Sequence, residues 1–250
     1  MVVYKSIRNL TTWELDEDLF DAHEAYLPMK IGTPIRLFSV MLPEYRDPPV
    51  PAAEAFDIYL KMEGHWKTSE HYTRLRETLR STKSIPVLTK FIGMALGHLV
   101  IGSVMSERCV HQHALLSALH EIFTECSNSV PVIETYVQDP AYSQRDMEVL
   151  HSAGFTIMDD PQALLELDES SLLLCIAPNL PVKEIVADIC RPGIIIWNKG
   201  GSEPEPESGR VNKMVNEEYR KIDFPYHSSF GDLDILIRKA GCQDYGHKAV

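Results

Sequence analysis

The spacing of apolar residues changes near residue 86. Before it, two stretches between residues 52 and 82 carry apolar residues at helical spacing, with charged faces between them. After it come short apolar runs without inside/outside alternation, at residues 87–92, 130–137, 155–158, 172–177 and 193–197. Helical patterns lie between the runs, at residues 107–125, 143–153, 161–167 and 181–190. Strands buried on both faces and separated by helices predict a mostly parallel sheet, in a Rossmann-like three-layer α/β sandwich.

The two ends of the chain extend this pattern. Further elements are predicted as a helix over 11–27, a strand over 35–40, a proline-rich loop over 43–51, a glutamate-rich loop over 200–207, a helix over 211–219 and a strand over 233–237. We therefore expect a mainly helical lead-in over residues 1–82, packed on the core. Residues 83–250 form the Rossmann-like domain with a carboxyl-terminal extension.

Composition excludes several classes of protein. The chain has 250 residues, 44% of them hydrophobic and 24% charged, which is typical of a globular domain. Its formal net charge of -12 repels a phosphate backbone, so charge-driven binding of nucleic acid is not expected. No long apolar stretch or signal peptide stands out, and five cysteines form no C-x-x-C pair. We expect a cytoplasmic or nuclear protein without membrane contact, while a homodimer or a protein partner stays open.

The loop after the first buried run is the first candidate for a ligand site. Gly93 and Gly97 let the backbone approach a ligand and leave N–H groups free near a helix start. The spacing is neither G-x-G-x-x-G nor a Gly-Lys-Ser/Thr phosphate loop, so dinucleotide and ATP binding are weakly supported. A tight turn without a ligand is an equally good interpretation of both glycines.

The second buried run ends in another candidate group. Asp139 lies two residues after it, where several Rossmann-like enzymes hold a ribose hydroxyl, although a turn-forming role is equally compatible. Ser143 and Asp146 form a capping box at the start of the next helix. Tyr142, between Asp139 and Ser143, is a candidate for an apolar wall of the same crevice.

Histidine and asparagine residues complete the predicted crevice. His98 stands in the glycine loop, where its imidazole could act as a general acid or base, and a surface position without a role is as good an interpretation. Asn179 and Asn198 follow the fourth and fifth buried runs, as ligand contacts or as turn formers. His111 and His113, two positions apart on a helix, point about 200° apart, so no metal site is expected.

Three blocks of residues resemble the SRR-like family, named for the plant "sensitivity to red light reduced" protein. The blocks are the helical stretch 70–79, the glycine loop with the helix containing residues 112–116, and residues 139–155. The last is the most specific, with Asp-Pro, an aromatic residue, a hydroxyl residue and a second Asp. The resemblance covers roughly residues 52–199. It implies circadian and light-signalling regulation with transcriptional or haem-linked effects, and no defining reaction.

The chain departs from the family pattern in two loops of the predicted crevice. Family members usually carry Gly-Leu-Gly-Ser in the glycine loop, where this chain has residues 94–98 as Met-Ala-Leu-Gly-His. They usually carry Pro-His-Cys after the fourth run, where this chain has Pro178, Asn179 and Leu180. These changes imply a divergent member with a different ligand.

Three functions fit the sequence. The first is a non-redox protein that binds a small molecule at the carboxyl ends of the strands and has a regulatory role. The second is an enzyme of specialised metabolism doing acid–base chemistry such as isomerisation or cyclisation, with His98 as acid or base and Asp139 and Asn179 orienting the substrate. Neither needs a cofactor. The third is a methyltransferase-like protein that binds S-adenosylmethionine at residues 93–97, with Asp139 on the ribose.

Overall fold

The computed structural model describes residues 50–101, 103–126, 133–200 and 208–241, together with the backbone of residues 2–4 and 29–31. Its helices are α1 (Ala52–Lys67), α2 (Glu70–Ser81), α3 (Glu107–Cys126), α4 (Gln144–Ser152), α5 (Gln162–Leu165), α6 (Val182–Ile189) and α7 (Gly209–Glu218). Its strands are β1 (Val2–Tyr4), β2 (Met29–Ile31), β3 (Lys90–Met94), β4 (Val100–Ile101), β5 (Val104–Met105), β6 (Glu134–Gln138), β7 (Thr156–Ile157), β8 (Ser171–Cys175), β9 (Ile194–Asn198), β10 (Tyr219–Asp223) and β11 (Leu233–Arg238).

Seven of these strands form the central sheet, in the order β10-β11-β9-β8-β3-β6-β7. The five strands from β9 to β7 are parallel, and β11 lies antiparallel to both β9 and β10. In chain order the parallel strands are arranged 3-2-1-4-5, the order of a doubly wound sheet. The strand order reverses between β3 and β8, so a crevice is expected outside the carboxyl ends of these two strands.

Apolar side chains cover both faces of the sheet, because successive residues of a strand point to opposite sides. Phe91 of β3 and Leu172 of β8 face α1, α2, α3 and α4, in the larger core cluster. Ile92 and Leu173, one position later, face α5, α6 and α7. The three-layer α/β architecture predicted from the unalternating runs is therefore confirmed.

Local capping explains where two of the helices begin. Ser69 precedes α2, and its hydroxyl accepts a hydrogen bond from the Tyr72 N–H at 3.2 Å. Ser143 and Asp146 form the predicted capping box of α4. Among the described residues, no helix is both long and apolar enough to cross a membrane.

Several sequence-based boundaries were wrong by a few residues. The first buried strand was expected at 87–92 but is Lys90–Met94, and Val87 is 75% exposed. Tyr219 was expected to end a helix, yet it begins β10, which the sequence analysis missed together with the small β4–β5 hairpin. The helix over 11–27 and the strand over 35–40 lie outside the described residues, and the domain boundary at 82 stays a prediction.

Candidate functional site

The loop between β3 and α3 is tied to the tip of β6 by Asp139. One carboxylate oxygen of Asp139 accepts a hydrogen bond from the Gly97 N–H at 2.7 Å. The other accepts from the Ala141 N–H at 2.8 Å, which closes a turn after the strand. Gly97 has a φ of +74°, and a Cβ there would lie 2.6 Å from the Cys109 Sγ. The tight turn thus needs glycine, and Asp139 holds it in place.

A second carboxylate, that of Asp146 in the first turn of α4, fastens the next part of the loop. Asp146 is fully buried. Its Oδ1 accepts hydrogen bonds from the backbone N–H groups of Leu99 and Val100, at 2.8 and 2.9 Å. Its Oδ2 accepts from the backbone N–H and the hydroxyl of Ser143, both at 2.7 Å. The capping box of α4 therefore also anchors the loop after β3.

These contacts change what the glycine loop can bind. The backbone N–H groups of Gly97, Leu99 and Val100 already donate to carboxylates. A phosphate would compete for the same donors and would lie close to two negative charges, which repel it. Three of the N–H groups that a phosphate would need in this loop are therefore already occupied.

Gly93 lies in a different environment from Gly97. It is a buried residue of β3, and a Cβ at this position would lie 2.7 Å from both Leu116 Cδ2 and Leu96 Cδ1. Because glycine has no side chain, α3 can pack closely against the sheet at this position. Gly93 was predicted to line the ligand crevice, and the structure places it within β3, against α3.

Two alanines with positive φ mark the point where the strand order reverses. Ala95 follows β3 directly with a φ of +56°, and Ala177 lies two residues beyond β8 with a φ of +47°. The Ala95 N–H donates to the Gln138 carbonyl oxygen at 3.2 Å, and the Ala177 N–H donates to the Asn198 Oδ1 at 2.6 Å. A left-handed conformation costs an L-residue on the order of 1 kcal/mol, and neighbouring structure must hold it. Two such residues thus lie on adjacent strand tips.

The two predicted asparagines differ in exposure. Asn198, at the end of β9, is 8% exposed, and besides holding Ala177 it donates from Nδ2 to the Phe230 carbonyl oxygen at 3.5 Å. Its backbone carbonyl accepts a hydrogen bond from the buried Lys183 ammonium at 2.8 Å. Asn179 is exposed in the loop after β8. Asn198 fixes the backbone after β8 through Ala177, whereas Asn179 in the same loop is open to solvent.

His98 and Tyr142 lie at the same edge of the sheet but in different surroundings. His98 is half-buried next to Gly97, whose N–H is bonded to Asp139, so His98 and Asp139 are brought to one loop cluster. Tyr142 is buried, and its hydroxyl lies 2.8 Å from His113 Nε2. Tyr142 is therefore part of the core between α3 and α4.

His113 is a neutral structural group. Its Nδ1 lies 2.7 Å from the Cys109 carbonyl oxygen and must donate, so Nε2 accepts from the Tyr142 hydroxyl. Burial lowers the pKa of His113 to about 4 and raises that of Tyr142 far above its usual range. His111, two residues earlier, points instead to the Ser229 hydroxyl at 3.0 Å. Within the ranges that the structure describes, no group of histidine, cysteine and acidic side chains could hold a metal ion.

Sequence reasoning missed a polar pair at the tips of β6 and β7. The buried Gln138 donates from Nε2 to the Asp160 Oδ1 at 3.0 Å and accepts from the Ala163 N–H at 2.9 Å. Asp160 itself is exposed, after β7. The sequence offered a signal in Gln138, the polar residue that follows the second buried run and precedes Asp139. For the two strained alanines the sequence offered none.

Comparisons with known proteins bear on the family more than on the ligand. The family model of the SRR1 domain matches residues 75–235. No curated protein matches. Among solved structures, MtNAS in complex with MTA and tNA is similar with 12% identity and a TM-score of 0.38, covering 75% of each chain. A methyltransferase from Geobacter sulfurreducens is similar with 12% identity and a TM-score of 0.37, covering 79% of this chain and 91% of its own. Scores below 0.5 carry no argument about function.

Proposed function

Because the chain belongs to the SRR1 domain family, whose model matches residues 75–235, we propose that it binds a small molecule at the reversal point of the sheet and that this binding serves a regulatory role. The crevice lies outside the carboxyl ends of β3 and β8. Doubly wound sheets bind their ligands at this place, because the loops of the two strands leave in opposite directions there.

The observation that carries the proposal is the pair of strained alanines, Ala95 and Ala177, on the two adjacent strand tips. Backbone strain concentrates at ligand sites, where the surrounding structure fixes an uncommon conformation. The third non-glycine residue with positive φ among those described, Ser84, precedes β3 and so lies near the opposite edge of the sheet. Two of the three strained residues therefore face the crevice.

The ligand we propose carries no phosphate. The N–H groups that would cradle one are bonded to Asp139 and Asp146, whose charges disfavour a nearby anion. A neutral or positively charged molecule meets no such penalty. The exposed Asn179 and Asp160 are available to contact it at the tips of β8 and β7.

S-adenosylmethionine is a second candidate, and the two carboxylates that bind the loop after β3 favour it as a ligand. It is a nucleoside without phosphate and carries a positive sulfonium, so the acidic loop that disfavours ATP and NAD tolerates it. Asp139 has both oxygens bonded to backbone N–H groups, so a ribose contact from it would have to share these oxygens. The exposed Asp160 is a better candidate, because only its Oδ1 accepts a hydrogen bond from Gln138 and its other oxygen can accept one from a ribose hydroxyl.

The test is a thermal-shift panel that compares probes with and without phosphate. S-adenosylmethionine, adenosine and a set of apolar metabolites form one arm, and AMP, ATP and NAD the other. A ligand at 100 times its Kd stabilises the folded state by about 2.7 kcal/mol. For a chain of this size we expect a rise in Tm of roughly 5–10 °C. The proposal fails if phosphate-bearing probes alone shift the Tm.

A pair of matched variants locates the binding site. Asparagine adopts positive φ more readily than other residues with a Cβ, so Ala177→Asn adds bulk to the crevice without new backbone strain. Ser84→Asn also introduces asparagine at a positive φ, of +58°, near the opposite edge of the sheet. We expect Ala177→Asn to abolish the ligand-induced shift and Ser84→Asn to leave it intact. An undiminished shift in Ala177→Asn would place the ligand elsewhere.

A further inference from the structure

Three histidines that the crevice does not use meet beside it. We call His71, His111 and His227 the histidine cluster: they come from the first turn of α2, from α3, and from the turn between β10 and β11. The His227 ring contacts the other two edge-to-face, with centroids 4.9 Å from His71 and 5.5 Å from His111. It also packs against the Phe230 ring at 4.8 Å. The cluster therefore fastens the β10–β11 turn to two helices.

One hydrogen bond of the turn requires the His227 ring to be neutral. Its Nδ1 accepts a hydrogen bond from the Ser229 N–H at 3.1 Å, and a protonated Nδ1 has no lone pair to accept it. The titratable described groups that face His227 are His71 on α2, and His111 and Glu107 on α3. Burial lowers the pKa of His227, the neighbouring imidazoles of His111 and His71 lower it further, and Glu107 acts in the opposite direction. Burial also lowers the pKa of His111.

A chain of hydrogen bonds connects this turn to the crevice. The N–H groups of Phe230 and Gly231 donate to the His227 carbonyl oxygen at 3.0 and 2.9 Å, which fixes the turn. The Phe230 carbonyl oxygen accepts from Asn198 Nδ2, and Asn198 Oδ1 accepts from the Ala177 N–H. The group that holds one strained alanine in place is therefore itself held by the turn.

We propose that the histidine cluster is a proton-sensitive latch, in which protonation of His227 releases the turn of residues 227–231 and, through Asn198, loosens Ala177 at the crevice. The effect on a ligand rests on the function proposed above. The release of the turn does not, because it follows from contacts within the chain. Proton uptake at acidic pH would then weaken ligand binding at the tips of β3 and β8.

Hydrogen exchange followed by mass spectrometry tests the latch without any ligand. Between pH 7.5 and 5.5, and after correction for intrinsic exchange, we compare peptides covering residues 224–232, 174–181 and 192–197. Opening that takes up one proton should lower the protection of the turn by about tenfold per pH unit below the usual histidine pKa of about 6.5. We expect the peptide with Ala177 to follow the turn and the β9 peptide to stay protected.

A non-titrating variant separates the latch from general acid sensitivity. In His227→Asn the side-chain oxygen takes the place of Nδ1 and accepts the Ser229 N–H at any pH, so the pH response of both peptides should disappear. His151→Asn, at an exposed position on α4, is the matched control and should keep the wild-type response. Equal protection of the wild-type turn at both pH values, or an undiminished response in His227→Asn, would overturn the latch. A turn that opens while Ala177 stays protected would overturn the coupling. If His227→Asn does not fold, His111→Asn should shrink the response, because it removes one of the imidazoles that disfavour the protonated state.

Discussion

Replacing Asp146 by asparagine tests whether one carboxylate anchors the crevice loop. Asp146→Asn preserves the shape of the side chain but turns one oxygen into an NH2 group. In the wild type, two donors meet each oxygen: Leu99 and Val100 N–H at Oδ1, and the N–H and hydroxyl of Ser143 at Oδ2. If the amide NH2 faces Leu99 and Val100, both backbone N–H groups lose their acceptor. If it faces Ser143, only the Ser143 N–H does, because the Ser143 hydroxyl can rotate and accept a hydrogen bond from the amide.

The magnitude follows from the number of bonds. Four hydrogen bonds at about 1–1.5 kcal/mol each contribute about 4–6 kcal/mol, and Asp146→Asn loses one or two of them, about 1–3 kcal/mol. For a chain of this length that corresponds to a fall in Tm of roughly 2–12 °C. Asp146→Ala would lose the whole network, a large part of a typical free energy of unfolding of about 5–15 kcal/mol. Asp146→Asn is therefore the more informative change.

The assay combines thermal unfolding, followed by circular dichroism, with hydrogen exchange of a peptide covering residues 95–106. Besides the lower Tm, we expect faster exchange in this peptide, because the Leu99 and Val100 N–H groups lose a strong acceptor. Glu148→Gln is the matched control, since Glu148 is an exposed acid on the same helix. It should change the free energy of unfolding by no more than about 0.5 kcal/mol. A Tm of Asp146→Asn within one degree or so of wild type, with unchanged exchange, would refute the anchoring role.

Three further predictions concern the backbone and the core. Ala95→Gly removes the strain of a positive φ and should raise the free energy of unfolding by about 1 kcal/mol in urea titrations, and a decrease would show that the alanine is not strained. Gly93→Ala forces a methyl to within 2.7 Å of Leu116 Cδ2 and should lower the free energy of unfolding by about 1–3 kcal/mol, whereas an unchanged midpoint would refute the close packing. His113 has a lower pKa in the folded than in the unfolded state. Its contribution to the free energy of unfolding is therefore complete above pH 6.5 and is lost as the pH falls toward its folded pKa of about 4. Urea titrations at pH 7 and 5 should differ by on the order of 2 kcal/mol from this group, and His113→Gln should show a smaller difference.

The sequence predicts the layers of this fold well because burial controls them. Both faces of β8 are covered, and its run of Ser171–Cys175 is uniformly buried. Such a run does not alternate between apolar and polar residues, so it predicts a strand that is buried on both faces. The helices between the runs are predicted by the helical spacing of their own apolar residues. Strand β10 was missed for the opposite reason. Arg220, Lys221 and Asp223 are exposed on this edge strand, and without an apolar run the segment looks like the end of the preceding helix.

Individual contacts at the site were harder to predict than its position. Sequence order places His98 and Asp139 after neighbouring strands, and the structure brings them to one loop cluster. Sequence order does not reveal whether a carboxylate there contacts a ligand or a backbone N–H group, because the path of the opposite loop decides that. Ala95 and Ala177 show the same limit more strongly, since alanine carries no preference for positive φ that a sequence could display.

We expect a changed ligand on a retained scaffold, because of where this chain departs from the SRR-like pattern. Asp139 and Asp146, which match the SRR-like pattern, anchor the loop after β3 through backbone N–H groups and so act on its path rather than on any one ligand. The departures from the pattern, at Ala95, His98 and Asn179, lie instead at the tips of β3 and β8, where a bound molecule would contact them. If the anchoring carboxylates were what selected the ligand, the variation would be expected at them. Because the variation lies at the strand tips, the ligand selectivity of this chain should depend on residues 94–98 and 177–180. Exchanging these two loops for the family's usual residues should change which probe raises the Tm while leaving the fold intact.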